Sequence, residues 1–314
     1  MESGLNVCSN KFGVSDLTEA IIECRRLNKR YGKSQVLNSV DFRIQPNQLV
    51  GFLGPNGAGK TTTIRILLGL LKPTSGSSKI FGRSCQLEGQ SIRKQIGYLP
   101  GDVHFYPNLS GRQTLLFMAN ARRQNCISEI ERLANDLGLE LDKKVRNYST
   151  GMRQKLGLIQ AMMHQPQLLI LDEPTSALDP LIRKAVFAEL RNVVRAGRSV
   201  LFSSHSLTEV EELCDEVIIL RTGKIVEQQK IERLKNRALR RVRIKYPEKD
   251  QTPYVFPEQM NLLEQNGNSI VGTWTGASGE LIKWLSSQQI IDVIIEKPDL
   301  NDLFLTYYQK MEQA

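Results

Sequence analysis

The residues Gly54-Pro55-Asn56-Gly57-Ala58-Gly59-Lys60-Thr61 set the pattern G-x-x-x-x-G-K-[ST]. An apolar run, Leu49-Val50-Gly51-Phe52-Leu53, precedes it, and a helical pattern from Thr62 to Leu71 follows. Strand, glycine-rich loop and helix in that order leave few folds open. Glycines permit a tight loop whose backbone N–H groups converge on one point, and the helix N-terminus adds positive potential there. The pattern therefore predicts a phosphate site. Lys60 can reach β- and γ-phosphates, and Thr61 can place its hydroxyl on a magnesium ion. Gly54, Pro55, Asn56, Gly57, Ala58, Gly59, Lys60, Thr61 and Thr62 are the candidate nucleotide-binding residues.

A second motif narrows the chemistry. Leu168-Leu169-Ile170-Leu171-Asp172-Glu173-Pro174 is a short apolar strand of the kind buried in parallel sheets, ending in two carboxylates. Asp172, at the strand end, is placed to hold a magnesium shell through water. Glu173, one residue on, can orient or deprotonate an attacking water.

The remaining numbers exclude more than they add. At 314 residues, 40% hydrophobic and 24% charged, the chain suits about two globular domains. No apolar run approaches the roughly 18 residues of a membrane helix, and Met1 to Ala20 lacks the pattern of a secretory signal. The cysteines Cys8, Cys24, Cys85, Cys126 and Cys214 are scattered, which suggests neither a zinc site nor a disulfide framework. The histidines show no metal-ligand spacing. Part of the net charge of +9 is concentrated between Lys230 and Lys245. No aromatic residue interleaves with those cations before Tyr246, so a nucleic-acid stacking platform is not indicated.

Along the chain, residues 1–20 read as a polar tail. Residues 21–229 read as one α/β unit in which strands and helices alternate, implying a largely parallel core. Its strand candidates are Ile22–Leu27, Val36–Ile44, Leu49–Leu53, Ser78–Phe81, Gln95–Leu99, Leu168–Leu171, Ser199–Ser203 and Glu216–Leu220. A helical stretch interrupts it over about 103–165. Residues 230–240 read as a basic linker helix. Residues 241–314 form a small α+β module, with strands predicted at Arg241–Tyr246, Ser269–Thr275 and Ile290–Glu296, and a helix from Ser278.

Further residues fall in a recognisable order. The chain resembles the ATP-binding subunits of ABC transporters over about Ile21 to Gln229. Tyr31 matches the family's adenine-stacking aromatic, and Gly54 to Thr62 its phosphate loop. Tyr148-Ser149-Thr150-Gly151-Met152 matches its signature motif, and Asp172 and Glu173 its magnesium and general-base carboxylates. Ser176-Ala177-Leu178-Asp179 matches the loop that crosses between two nucleotide domains, and His205 the switch histidine at the γ-phosphate. The resemblance implies a P-loop NTPase of the ABC ATPase type: a mainly parallel sheet core, an antiparallel β subdomain and a helical subdomain, followed by the small C-terminal α+β module. It also implies ATP and Mg2+ as cofactors. The partners implied are a second ABC subunit, identical or not, and a membrane permease, placing the chain in the cytoplasm on the inner face of the membrane.

The departures carry information. The family signature reads Leu-Ser-Gly-Gly-Gln, whereas Tyr148, Thr150 and Met152 stand here; Ser149 and Gly151 remain. Where the family places a glutamine after the lid proline, Pro100 is followed by Gly101 and Asp102. Asp102 is the candidate to replace that glutamine at the metal, and loss of the contact is the alternative. Phe105 and Tyr106, beyond the lid, are candidates to grip a permease helix, with a packed local loop as the competing reading. The variant signature, the lid and the segment Pro298 to Phe304 are similar to ATPases that pair with ABC-2 type export permeases. An import ATPase and a non-transport ABC protein acting on DNA or ribosomes are the alternatives. DNA-repair relatives insert a coiled coil and ribosome-associated ones carry two ATPase units; neither feature is in the sequence, and no nucleic-acid partner is expected.

Overall fold

In the computed structural model, residues 19–237, 240–247 and 256–296 are described. The chain opens with strands β1 (Ile22–Tyr31), β2 (Ser34–Ile44) and β3 (Leu49–Leu53), then helix α1 (Lys60–Leu67). There follow β4 (Ser75–Ile80), β5 (Arg83–Ser84), α2 (Gly89–Arg93) and β6 (Ile96–Leu99). Three helices form the middle: α3 (Gly111–Ala121), α4 (Ile127–Asp136) and α5 (Thr150–Met162). The βα alternation resumes with β7 (Leu168–Asp172), α6 (Pro180–Arg195), β8 (Ser199–Ser204), α7 (Leu207–Leu213), β9 (Glu216–Arg221) and β10 (Lys224–Lys230). The last described elements are α8 (Ile231–Arg237), β11 (Arg240–Lys245), β12 (Met260–Asn266), β13 (Ser269–Trp274), α9 (Ser278–Ser286) and β14 (Asp292–Ile295).

The central sheet runs β10-β9-β3-β8-β7-β6, parallel except for the antiparallel edge strand β10. Its middle strands β3, β7 and β8 are buried throughout, which explains why they read as continuous apolar runs. Alternate residues feed opposite cores. Val50, Phe52, Leu168, Ile170 and Leu201 join α1 and the small antiparallel sheet β2-β1-β4-β5, whose Phe42 lies 5.7 Å from Phe52. Leu169, Leu171 and Phe202 face α5, α6 and α7 on the other side, with Phe187 set edge-on to Phe202 at 6.1 Å. A third sheet, β12-β13-β11-β14, is antiparallel and packs Leu281 and Leu285 of α9 against Val242, Ile244 and Trp274.

Several expectations change in extent. The helix predicted to reach Leu71 stops at Leu67, because Gly69 turns the chain left-handed at φ 64°. Strand β12 was not expected: it buries only Met260 and shows no alternation of apolar and polar residues. It is recruited by pairing with β13, its register broken by a bulge between Leu262 and Glu264. Helix α3 begins at a capping box, Ser110 with Gln113, that sharpens its start. The polar tail 1–18 and the segment from Pro298 onward lie outside the described residues.

Candidate functional site

The phosphate loop joins β3 to α1, and crowding dictates two of its glycines, Gly54 and Gly59. A Cβ at Gly54 would sit 2.3 Å from the carbonyl oxygen of Leu220, so no side chain fits there. Gly59 caps α1 at φ 109° and presses against Leu37 and Val36. The first-turn N–H groups of α1 have no carbonyl one turn back and point out of the helix end. Lys60 is 5% exposed, and its ammonium donates to Gly54 O at 2.6 Å and Pro55 O at 3.3 Å.

The carboxylates arrive from the next strand but one. Asp172 alternates with Leu168 and Ile170, so it lies on the sheet face that α1 covers. There its Oδ2 accepts from the Thr61 hydroxyl at 2.7 Å. A buried carboxylate beside a hydroxyl that reaches solvent is an oxygen donor set that suits a hard cation such as magnesium. Glu173 follows with φ 49°, a left-handed conformation that a non-glycine residue adopts at a cost. This twist turns its carboxylate toward both Lys60, at 3.4 Å, and His205 Nδ1, at 3.3 Å. Glu173 is one-quarter exposed and His205 about half, so this end of the site opens to solvent. Tyr98 on β6 stands nearby; burial first, then the Asp172 charge, pushes its phenol up.

The structure thus brings Lys60, Thr61, Asp172, Glu173 and His205 together. Tyr31, at the end of β1, is half exposed, with Lys29 Nζ 5.0 Å over one ring face. Ser149 is the N-cap of α5, accepting from Met152 N at 3.2 Å. Gly151 lies against the Ala177 carbonyl, where a Cβ would come within 2.9 Å. Tyr148, in place of the family's leucine, is an anchor: it is 4% exposed and its hydroxyl donates to Glu140 O at 2.5 Å.

Two points were left open between alternatives. At the lid, the Asp102 carboxylate is exposed and pairs with His104 Nε2 at 2.9 Å. The residue beside Asp172 is Gly101, whose Cβ position would lie 3.7 Å from Asp172 Oδ2. Phe105 is half-buried against the main core, leaving Tyr106 as the exposed aromatic, edge-on to the exposed Phe117 at 6.4 Å. The cations of the basic cluster are partly paired: Lys235 with Glu211 at 3.3 Å and Arg243 with Glu296 at 3.7 Å.

Sequence reasoning missed two residues that shape the site. Ser203, opposite Asp172 in the β7–β8 register, donates to Asp172 Oδ1 at 2.6 Å and accepts from Glu173 N at 3.0 Å. Gln154, buried in α5, donates to Glu173 O at 3.3 Å and Pro174 O at 3.1 Å. Only the alternation along β8, which puts Ser203 on the face of Leu201, signals the first.

Known proteins resemble this arrangement. The family described as ABC transporter matches residues 37–176. The chain is 33% identical to a bacitracin transport ATP-binding protein, BcrA, of Bacillus licheniformis, over 91% of this chain and 96% of that one. It is 40% identical to an uncharacterized ABC transporter ATP-binding protein of Bacillus subtilis, over 67% of this chain and 69% of its relative. It is 36% identical to a Nod factor export ATP-binding protein I of Cupriavidus metallidurans, over 67% and 71%. Among solved structures, the ATP-binding subunit of an ABC transporter superposes with a TM-score of 0.63 at 30% identity, covering 68% of this chain and 92% of that one. A cassette solved as a dimer with ADP and Pi superposes at 0.60 and 22% identity, over 67% and 98%, a likeness of fold.

Proposed function

This chain belongs to the ABC transporter family as an ATP-binding, ATP-hydrolysing subunit, and from that premise we propose that it powers export through a separate ABC-2 type permease. The observation that carries the catalytic half is the convergence of Lys60, Thr61, Asp172, Glu173 and His205 within a chain of contacts of 2.7 to 3.4 Å. The name of one relative, a Nod factor export ATP-binding protein, supports the direction, and that of another, a bacitracin transport ATP-binding protein, supports transport.

In this reading the adenine stacks on Tyr31, and the N–H groups of Gly54 to Thr62 cradle the phosphates. Lys60 leaves its carbonyl partners for the β- and γ-phosphate oxygens. Thr61 and Asp172 hold Mg2+, which when bound neutralises charge on the phosphates. Glu173 orients the attacking water and takes its proton, while His205 contacts the γ-phosphate. Ser203 keeps the Asp172 carboxylate and the Glu173 backbone in register. Ser149, Thr150, Gly151 and Met152 act on the nucleotide of a second subunit, so two chains clamp two nucleotides and hydrolysis reopens them. Catalysis is then chiefly positioning and electrostatics. Residues 21–229 carry this chemistry. The helix 230–240 and the module from 241 are accessory, and the chain lies on the cytoplasmic face of the membrane through its permease. Among the described residues, no helix is long and apolar enough to cross a membrane.

Two measurements test this. Glu173→Gln is expected to bind ATP and accumulate an ATP-trapped dimer without turnover; normal turnover rejects the assignment. Purification of the tagged chain from membranes is expected to bring a polytopic permease with it, and its reconstitution to move substrate outward. Inward movement rejects the export reading.

A further inference from the structure

Beneath the loops that carry Glu173 and His205 lies a buried carboxylate that the hydrolytic mechanism does not use. Glu209 on α7 is 8% exposed. The Thr175 hydroxyl lies 3.0 Å from both of its oxygens. The Ser204 hydroxyl donates to its Oε2 at 2.8 Å. Arg183 of α6 stands 3.5 Å from its Oε1. A carboxylate's oxygens can accept from both hydroxyls, while the Arg183 guanidinium stands at ion-pair distance. These hydroxyls and the nearby cation compensate the burial of the carboxyl group.

The partners are not random neighbours. Thr175 is two residues past Glu173, in the turn where Ser176 Oγ donates to Glu173 O at 3.1 Å and Leu178 N to Thr175 O at 3.1 Å. Ser204 immediately precedes His205. Its Oγ accepts from Ser206 N at 2.9 Å, so the backbone on both sides of His205 is pinned to one hydroxyl. Arg183 lies in the first turns of α6, just beyond the crossing loop Ser176 to Asp179. Glu209 therefore ties the stretch from Glu173 to Arg183, with its crossing loop, to the turn around His205.

We infer that Glu209 is a positioning residue, fixing the turn after Glu173 against the turn around His205 so that the two side chains keep their 3.3 Å spacing. The inference rests on the proposed roles of Glu173 and His205. Its consequence is selective. Loosening the hub leaves the phosphate loop and Lys60 untouched, so nucleotide binding survives while the alignment of water and γ-phosphate is lost.

The test uses the full-length chain and steady-state MgATP hydrolysis. Glu209→Gln, isosteric but weaker as an acceptor and carrying donors of its own, is expected to lower kcat at least tenfold with KM for ATP within twofold. Thr175→Val is expected to do the same, whereas Thr175→Ser, which restores the hydroxyl, is expected to recover most of the turnover. In the Glu209→Gln background, Thr175→Val is expected to add less than it does alone, since the two belong to one network. An unchanged kcat in folded Glu209→Gln overturns the proposal. So does a joint change of kcat, KM and Tm, which marks a merely structural carboxylate. If Glu209→Gln does not fold, Thr175→Val and Ser204→Ala decide on the same criterion. Glu173→Gln is measured alongside. If it turns over normally, the reading of the site fails; if it is inactive while the Glu209 series is normal, only the positioning role fails.

Discussion

The phosphate loop and the signature segment differ in how much of their geometry one chain completes. Around Gly54 to Thr61, every feature closes locally: a glycine forced by the Leu220 carbonyl, a buried Lys60, a Thr61 hydroxyl already on Asp172. Around Ser149, side chains serve the scaffold: Ser149 caps α5, Tyr148 anchors to Glu140, and Gln154 reaches from α5 to the Glu173 and Pro174 carbonyls. The first region is the phosphate loop of an ATP-binding subunit, closed within one chain; the second is the region proposed above to meet the nucleotide of a second subunit. The Gln154 bonds are the physical tie between them within one chain.

That contrast can be broken or sharpened by substitution. The largest effect is expected at Glu173→Gln, with turnover reduced on the order of 10³-fold and ATP affinity retained, checked by phosphate release and nucleotide binding in parallel. Next is Lys60→Ala, expected to weaken ATP binding by roughly 100-fold through loss of a charge-assisted contact, read by calorimetry. Equal ATP affinity in this variant breaks the claim that the loop is complete in one chain. Ser149→Ala is expected to leave ATP affinity of dilute protein unchanged while lowering turnover about tenfold. It also costs about 1 kcal/mol of stability as a lost helix cap, measured by denaturant unfolding.

A pH effect of similar size belongs to the far end of the signature helix. His164, just past α5, donates toward Ile96 O at 3.2 Å, and burial lowers its pKa to about 4. The unfolded chain titrates near 6.5, so between pH 6.5 and 4 it binds the extra proton. Stability is whole above 6.5 and falls as pH drops through that window, by on the order of 2 kcal/mol once partial solvent access is discounted. His164→Asn is expected to flatten this limb in pH-dependent melts. The smallest effect is expected at Asp102→Ala, whose exposed pairing with His104 predicts an unchanged magnesium dependence of hydrolysis.

Much of this was legible from residues 49–61 and 168–173, because strand–loop–helix patterning and oxygen chemistry are local. The largely parallel character of the central sheet followed from the βα alternation; its strand order, β10-β9-β3-β8-β7-β6, did not. What escaped was non-local. Ser203 and Glu209 look like an ordinary strand serine and surface-helix glutamate until β8 and α7 are placed against β7. At the lid, motif alignment left open whether Asp102 reaches the metal, because the turn after Pro100, which puts the backbone of Gly101 beside Asp172 and pairs Asp102 with His104, is not written in the motif. Strand β12 was invisible because pairing to β13, not burial, holds it in place.

The left-handed backbone of Glu173 has an evolutionary consequence. An L-residue at that φ costs on the order of 1 kcal/mol, which glycine would recover, less its own chain entropy. The two terms nearly cancel, so selection for heat tolerance alone would exert little pressure to keep Glu173, and a library sorted only by melting temperature would let Glu173→Gly pass. Any campaign to harden this protein has to score turnover at every round, because the fold itself does little to defend the residue proposed to drive hydrolysis.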